Sequence, residues 1–378
     1  MSARGAPVLH LVPASATDAE AAAVLGLVRA LAHHGRDVLV AGNRRPGVFE
    51  PFEPGGAARR LDLEFAATGP LGARRAAARL EAAVRAQAIG LVHAHDAATA
   101  ALVERVARRA GHPWVASLEA AAPGGVDARV RADRVLVPTR ELAERLDAAG
   151  TVAGARLRVV PPAIELARFD PAAVEPARLD RLRAAWEVAA DRPVVLVRGV
   201  LAPGGGQLEL LRALRRCGRD DALVVLAGTC DTGSAYRKQL ELFARTAGME
   251  ERMRIVDPPT DLPAAVALAR VVAFPAQGEP APPAVAVVEA QAMGTPVIVT
   301  AVGGLGEMLM PAATGWLVEA GDGDGLAEAL DLALAMPDEV RARTAARARD
   351  FVMTQFGAER AAAATAEAYA ELLGEATT

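Results

Sequence analysis

Two hydrophobic rhythms alternate along this chain. Short runs of consecutive apolar residues recur: Val8–Val12, Asp37–Ala41, Leu91–His93, Trp114–Leu118, Asp133–Val137 and Arg158–Val160, then Val194–Val197, Ala222–Ala227, Arg254–Val256, Val271–Phe274, Pro296–Thr300 and Thr314–Val318. Their polar and apolar positions do not alternate, so each predicts a strand covered on both faces, as in a parallel sheet. Longer segments between them repeat their apolar positions every three to four residues and predict helices. In the first half these are Asp18–His33, Ala73–Ala88, Thr99–Ala110 and a helix capped by Thr139 running to Ala149. In the second half they are Leu208–Arg216, Tyr236–Ala247, Pro263–Ala269, Ala284–Met293, Gly325–Ala335, Glu339–Thr354 and Glu359–Leu373. Thr17 with Glu20 forms a capping-box pattern, and Gly35 and Gly294 are stop signals.

Strand–helix alternation on this scale predicts an α/β protein with two doubly wound, Rossmann-like sheets. The break falls in the proline-rich run PPAIELARFDP, which places one domain over 1–165 and a second from 166 to 355. At 378 residues, each half is long enough to bury its own core.

Composition narrows the classes. Apolar content of 52% with 23% charged residues is globular, and a net charge of −4 argues against nucleic acid as a partner. The only cysteines, Cys217 and Cys230, show no metal-ligand spacing, which fits a reduced cytoplasm. The apolar N-terminal run is short and contains His10, so it reads as a strand and not a secretion signal. Arg59, Arg60, Arg74, Arg75 and Arg79 read first as a solvated surface, and secondly as a peripheral contact with an anionic membrane or acceptor. Lys238 is the only lysine. His93 and His95 read as a capped strand end ahead of any catalytic role.

The stretch Phe274–Glu307 (FPAQGEPAPPAVAVVEAQAMGTPVIVTAVGGLGE) is a strand, loop, helix and strand in succession. Its loop and helix start belong at the carboxyl edge of a sheet, where open α/β sheets bind ligands. Glu289 stands among apolar residues on that helix, a costly position unless a polar partner satisfies it, and a ribose diol is suitable. Gly204-Gly205-Gly206 precedes another helix and reads equally as a phosphate cradle or a plain loop.

These segments, with Glu289–Val318 the most specific, closely resemble the retaining glycosyltransferases of family 4, which have the two-domain GT-B fold. The resemblance covers nearly the whole chain. It implies two domains facing a cleft, with the last segment, 356–378, crossing back to the first domain. It also implies a nucleotide-sugar donor in the cleft and a glycan or lipid-linked acceptor, with synthesis of cell-surface polysaccharide or glycolipid as the setting. No metal or other cofactor is expected, because arginine and helix dipoles take that part. Donor-binding positions carried over are Arg198, Gly204, Gly205, Gly206, Glu289, Gly303 and Gly304.

The chain departs from the family where the chemistry lies. The first-strand loop, Ala14-Ser15-Ala16-Thr17-Asp18, lacks the family's glycine pair. Glu119 stands where a histidine is usual, Val200 where an arginine is, and Gly205 where a lysine is. Ala281 takes the place of the first glutamate, with Glu279 the nearest upstream acid, and Pro283 has no N–H to offer. Glu119 and Glu279 are the candidate catalytic acids. Two readings follow: a divergent glycosyltransferase, or a non-catalytic relative that binds a nucleotide, a glycan or a partner glycosyltransferase.

Overall fold

The structure is a computed structural model that describes residues 5–12, 18–42, 58–63, 65, 69–118, 130–230, 233–278 and 281–375. The chain divides into two compact units, Met1–Glu165 with Phe356–Thr378, and Leu166–Gln355.

The first unit is built on strands β1 (Val8–Leu11), β2 (Val38–Ala41), β3 (Ala58–Arg60), β4 (Leu91–Ala94), β5 (Trp114–Ser117), β6 (Arg134–Val137) and β7 (Leu157–Val159). They form one parallel sheet in the order β3-β2-β1-β4-β5-β6-β7. Helices α1 (Asp18–His33), α2 (Gly69–Ala86), α3 (Ala97–Ala110) and α4 (Arg140–Ala148) alternate with them. β1, β2 and β4 are buried along their whole length because helices cover both sheet faces. One face packs Leu9, Leu11, Leu39, Val92 and Ala94 against α2 and α3; the other packs Val8, Val38, Val40 and Leu91 against α1.

The second unit repeats the plan. Its strands are β8 (Val194–Arg198), β9 (Leu223–Ala227), β10 (Met253–Val256), β11 (Val271–Phe274), β12 (Val297–Thr300) and β13 (Gly315–Val318), in the order β10-β9-β8-β11-β12-β13. Its helices are α5 (Pro176–Trp186), α6 (Gln207–Arg216), α7 (Ala235–Thr246), α8 (Leu262–Leu268), α9 (Ala284–Ala292), α10 (Gly323–Ala335) and α11 (Asp338–Gln355). Every residue of α9 is buried, Glu289 and Gln291 included, among the Ala and Val that make up the rest of the helix.

α12 (Ala358–Leu373) belongs to the first unit. Its Ala362, Ala368 and Tyr369 join the apolar layer of Val8, Leu91 and Val115 beneath α1. Glu371 bonds Arg134, the first residue of β6, at 2.7 Å, while Tyr369 meets His10 and His93, two residues into β1 and β4. α12 therefore runs antiparallel to the strands, with its earlier turns nearer their carboxyl ends.

Two elements escape the hydrophobic pattern. β3 is a three-residue edge strand in which Arg59 bonds Asp37 at 3.1 Å. α5 is a charged helix tied down by a bidentate contact from Arg178 to Asp261, which also caps α8.

Candidate functional site

In each sheet the strand order reverses between two central neighbours, β1 and β4 in the first and β8 and β11 in the second. The crevice beyond the carboxyl ends of such a pair is the usual ligand position of open α/β sheets. Polar side chains gather at both points.

In the second unit, β8 ends in Arg198 and β11 leads through its loop into α9. Arg198 Nη1 donates to Glu289 Oε2 at 2.8 Å, and both side chains are largely withdrawn from water, at 13% and 4% exposed. Sequence reasoning proposed both as donor ligands without linking them. The structure makes them partners, so the acid is internally paired within α9's apolar surround.

The loop between β8 and α6 is an organised turn, not a slack connection. Pro203–Gly205 forms a short 3-10 turn, the Gly205 N–H is donated to Ala202 O at 2.8 Å, and Gly204 O accepts from the Gln277 N–H. Gly206 is left-handed at φ 73°, and an added Cβ would stand 1.6 Å from the Pro275 carbonyl oxygen. The backbone after β8 thus packs directly on the backbone after β11, which only glycine permits. The Gly205 amide is committed to this turn, so the three glycines do not present a continuous row of free N–H donors. At the start of α6, the Tyr236 hydroxyl accepts from Leu208 N–H at 3.4 Å and donates to Gln207 Oε1.

The substituted positions differ in how they are set. Val200 is exposed, with room for a longer side chain. A Cβ on Gly205 would come within 2.5 Å of the Gln207 amide, a buried side chain already bonded to Val200 O and Tyr236. Ala281 lies beside Gly303, whose added Cβ would be 3.6 Å from Ala281 Cβ. Gly303 and Gly304 are both left-handed and lead into the short turn Leu305–Met308. Pro283 caps α9 without a side-chain hydrogen bond. Glu119, Glu279 and the loop Ala14–Thr17 lie outside the described residues. Arg74, Arg75 and Arg79 are exposed along α2.

In the first unit, strand pairing gathers three histidines that no sequence motif had linked. β1 and β4 are in register with His10 opposite His93, and His95 follows two residues on, so all three imidazoles lie on one sheet face. One ligand nitrogen from each lies within 4.8 Å of the others. His10 Nδ1 and His95 Nε2 share a hydrogen bond at 3.0 Å. Tyr369 Oη bonds His93 Nδ1 and lies 3.3 Å from His10 Nε2, and Ser117 Oγ is 2.7 Å from His93 Nε2. Burial drives the ring pKa values down, that of His95 to about 3, and mutual repulsion of charge adds to the shift for His10 and His93. The cluster is uncharged at neutral pH. Its spacing in sequence, 10 and then 93 and 95, gave no motif; only strand pairing brings these residues together.

Residues 180–351 match the family described as "Glycosyl transferases group 1", and residues 20–163 match the "Glycosyl transferase 4-like domain". A D-inositol 3-phosphate glycosyltransferase of Xylanimonas cellulosilytica is 35% identical over 243 residues, 63% of this chain and 57% of that protein. A protein of the same name from Salinispora tropica is 33% identical over 260 residues, 65% of this chain and 52% of its own length. The matched region is thus little more than half of each curated relative. Among solved structures, a glycosyltransferase from Rickettsia africae superposes with a TM-score of 0.81 at 16% identity, covering 98% of this chain and 100% of its own. Anabaena Alr3699/HepE in complex with UDP-glucose gives 0.79 at 20% identity, covering 97% and 99%. No helix among the described residues is long and apolar enough to cross a membrane. Each domain match falls on one Rossmann-like unit, so a glycosyl transferase 4-like domain is followed by a group 1 glycosyl transferase domain, and the fold is that of the GT-B glycosyltransferases.

Proposed function

We propose that this protein transfers a sugar from a nucleoside diphosphate sugar, with retention, and that its second unit holds the donor. The observation that carries this reading is the buried Arg198–Glu289 pair at the carboxyl edge of β8 and α9. A carboxylate so placed can accept both hydroxyls of a ribose, and a guanidinium beside it orients the carboxylate while its other N–H groups remain for a phosphate. The left-handed Gly303 and Gly304 let backbone approach a ligand closely, and the N-terminus of α6 favours negative charge. The stabilisation of the departing diphosphate is assigned to these groups, with no metal in the transfer step. UDP and UDP-glucose in solved structures of Anabaena Alr3699/HepE support a nucleotide-sugar donor here.

For the acceptor, the name shared by the curated relatives supports a small phosphorylated polyol, of which inositol 3-phosphate is the first to test. This replaces the glycan or lipid-linked acceptor expected from the sequence.

A second reading has its own support. Val200, Gly205 and Ala281 put no cation or acid where relatives of family 4 have them, and loss of one transition-state donor typically costs ~10²–10³ in rate. On this reading the protein binds nucleotide with little transfer. Calorimetry with UDP, and turnover of a nucleotide-sugar panel with and without inositol 3-phosphate, separate the two. Binding with acceptor-dependent turnover supports transfer, and binding without turnover supports the second reading. No nucleotide binding at all overturns both.

A further inference from the structure

We propose that His10, His93 and His95 form a binding site for one borderline divalent transition-metal ion, of which Zn²⁺ is the representative. The inference concerns the first unit and stands independently of the donor site.

Ligand chemistry comes first. Three neutral imidazoles without a carboxylate suit Zn²⁺, Ni²⁺, Co²⁺ or Cu²⁺ and are a poor site for Mg²⁺ or Ca²⁺. Nitrogens around a tetrahedral zinc at ~2.0–2.1 Å stand roughly 3.3 Å apart. Here His10 Nδ1 and His95 Nε2 are 3.0 Å apart, and the three ligand nitrogens all lie within 4.8 Å. The shift needed is of side-chain rotation size, with the strands left in place.

The surroundings fit as well. A ligating histidine usually bonds a fixed partner through its other nitrogen, which sets its tautomer and orientation. Tyr369 Oη lies 3.3 Å from His10 Nε2, leaving His10 Nδ1 turned to His95. His93 has a hydroxyl at each nitrogen, Tyr369 on one and Ser117 on the other, so either can stay as an anchor when the other turns to the ion. His95 has some exposure, at 9%, whereas the other two rings are sealed. It marks the side from which an ion and a water in the fourth position enter. Thr365, one turn before Tyr369 on α12, supports that water: its hydroxyl is buried and has no hydrogen-bond partner among the described residues. Because α12 runs antiparallel to the strands, Thr365 lies towards the carboxyl edge, as His95 does.

An ion here would clamp β1 to β4 and, through Tyr369, hold α12 against the sheet. The site requires neutral rings, so an ion would bind in competition with protons.

The test uses the full chain, stripped with chelator and dialysed at pH 7.5. Zn²⁺ titration should give one tight site per chain with a raised melting temperature, and Co²⁺ should give the visible absorption of a tetrahedral nitrogen site. His95→Gln should weaken Zn²⁺ affinity at least tenfold. Tyr369→Phe, which keeps the ring and removes only the anchor, should weaken it about 10–100-fold. Replacing the surface pair His33 and His34 by glutamine should leave the site intact. Absence of stoichiometric uptake would overturn the proposal, as would binding that survives His95→Gln and disappears with His33 and His34. If His95→Gln fails to fold, Tyr369→Phe and the Co²⁺ spectrum still decide.

Discussion

Breaking the Arg198–Glu289 pair from one side should cost more than removing it altogether. At 2.8 Å the gross attraction is roughly 6 kcal/mol at an effective dielectric of about 20. Withdrawing the two ions from water consumes several kcal/mol each, so the net value of the pair is small. Arg198→Met strands a carboxylate that is only 4% exposed and should lower the stability of the second unit by about 3–5 kcal/mol. Glu289→Gln leaves the better-exposed partner, whose guanidinium keeps an amide oxygen to donate to, and should cost about 1–2 kcal/mol. The double variant should cost no more than about 2 kcal/mol, giving a coupling of about 2 kcal/mol or more. Urea unfolding, read by amide exchange in β8 and α9, measures these values for this unit. Calorimetry with UDP runs alongside, and both single variants should lose affinity at least several-fold because Arg198 orients the ribose ligand. Single costs that simply add, within about 0.5 kcal/mol, would refute the pair as an energetic unit. Stability loss with unchanged UDP affinity would refute its role as donor ligand and leave it structural.

Other expectations follow from the same geometry. Gly206→Ala should lower the unfolding free energy by at least about 2 kcal/mol, read as a lower urea midpoint, since it adds a Cβ at a positive φ against the Pro275 carbonyl; a neutral result would mean that this close approach is not needed. Restoring the family residues together, as Val200→Arg, Gly205→Lys and Ala281→Glu, should tighten donor binding and raise donor hydrolysis above a weak native level. The Gln207 side chain must yield to the new Lys, so Val200→Arg alone should be the best tolerated of the three; robust native turnover abolished by Arg198→Ala would show a rebuilt site instead. Asp261 is held below the ordinary carboxylate range by its hydrogen bonds from Arg178. Its contribution is therefore present at neutral pH and is lost as pH falls through and below that range; Asp261→Asn should flatten the acid limb of stability against pH between about 5 and 2.

Much of the architecture is written locally. Apolar runs flanked by helical periods fixed the strand–helix alternation, because burial on both faces demands Val and Leu without interruption. Even so, β3 and α5 left no such signature: one is a three-residue edge carrying two arginines, the other a charged helix held by Arg178 and Asp261. Glu289 stood out in sequence because an acid in an apolar helix needs a partner, but the partner is 91 residues away and sequence spacing could not name it. The glycine loop read equally as cradle or connection, and only the packing of Gly206 on Pro275 showed a specific structural demand. His10, His93, His95 and Tyr369 span almost the full chain, and no periodicity relates them. Parallel strand pairing sets two of the rings side by side, and the return of the last helix brings in the hydroxyl. Local sequence determined which segments are strands and helices, since that depends on each segment's own burial. Which polar groups meet was decided by the order of strands in the sheet, a property that only the folded chain possesses.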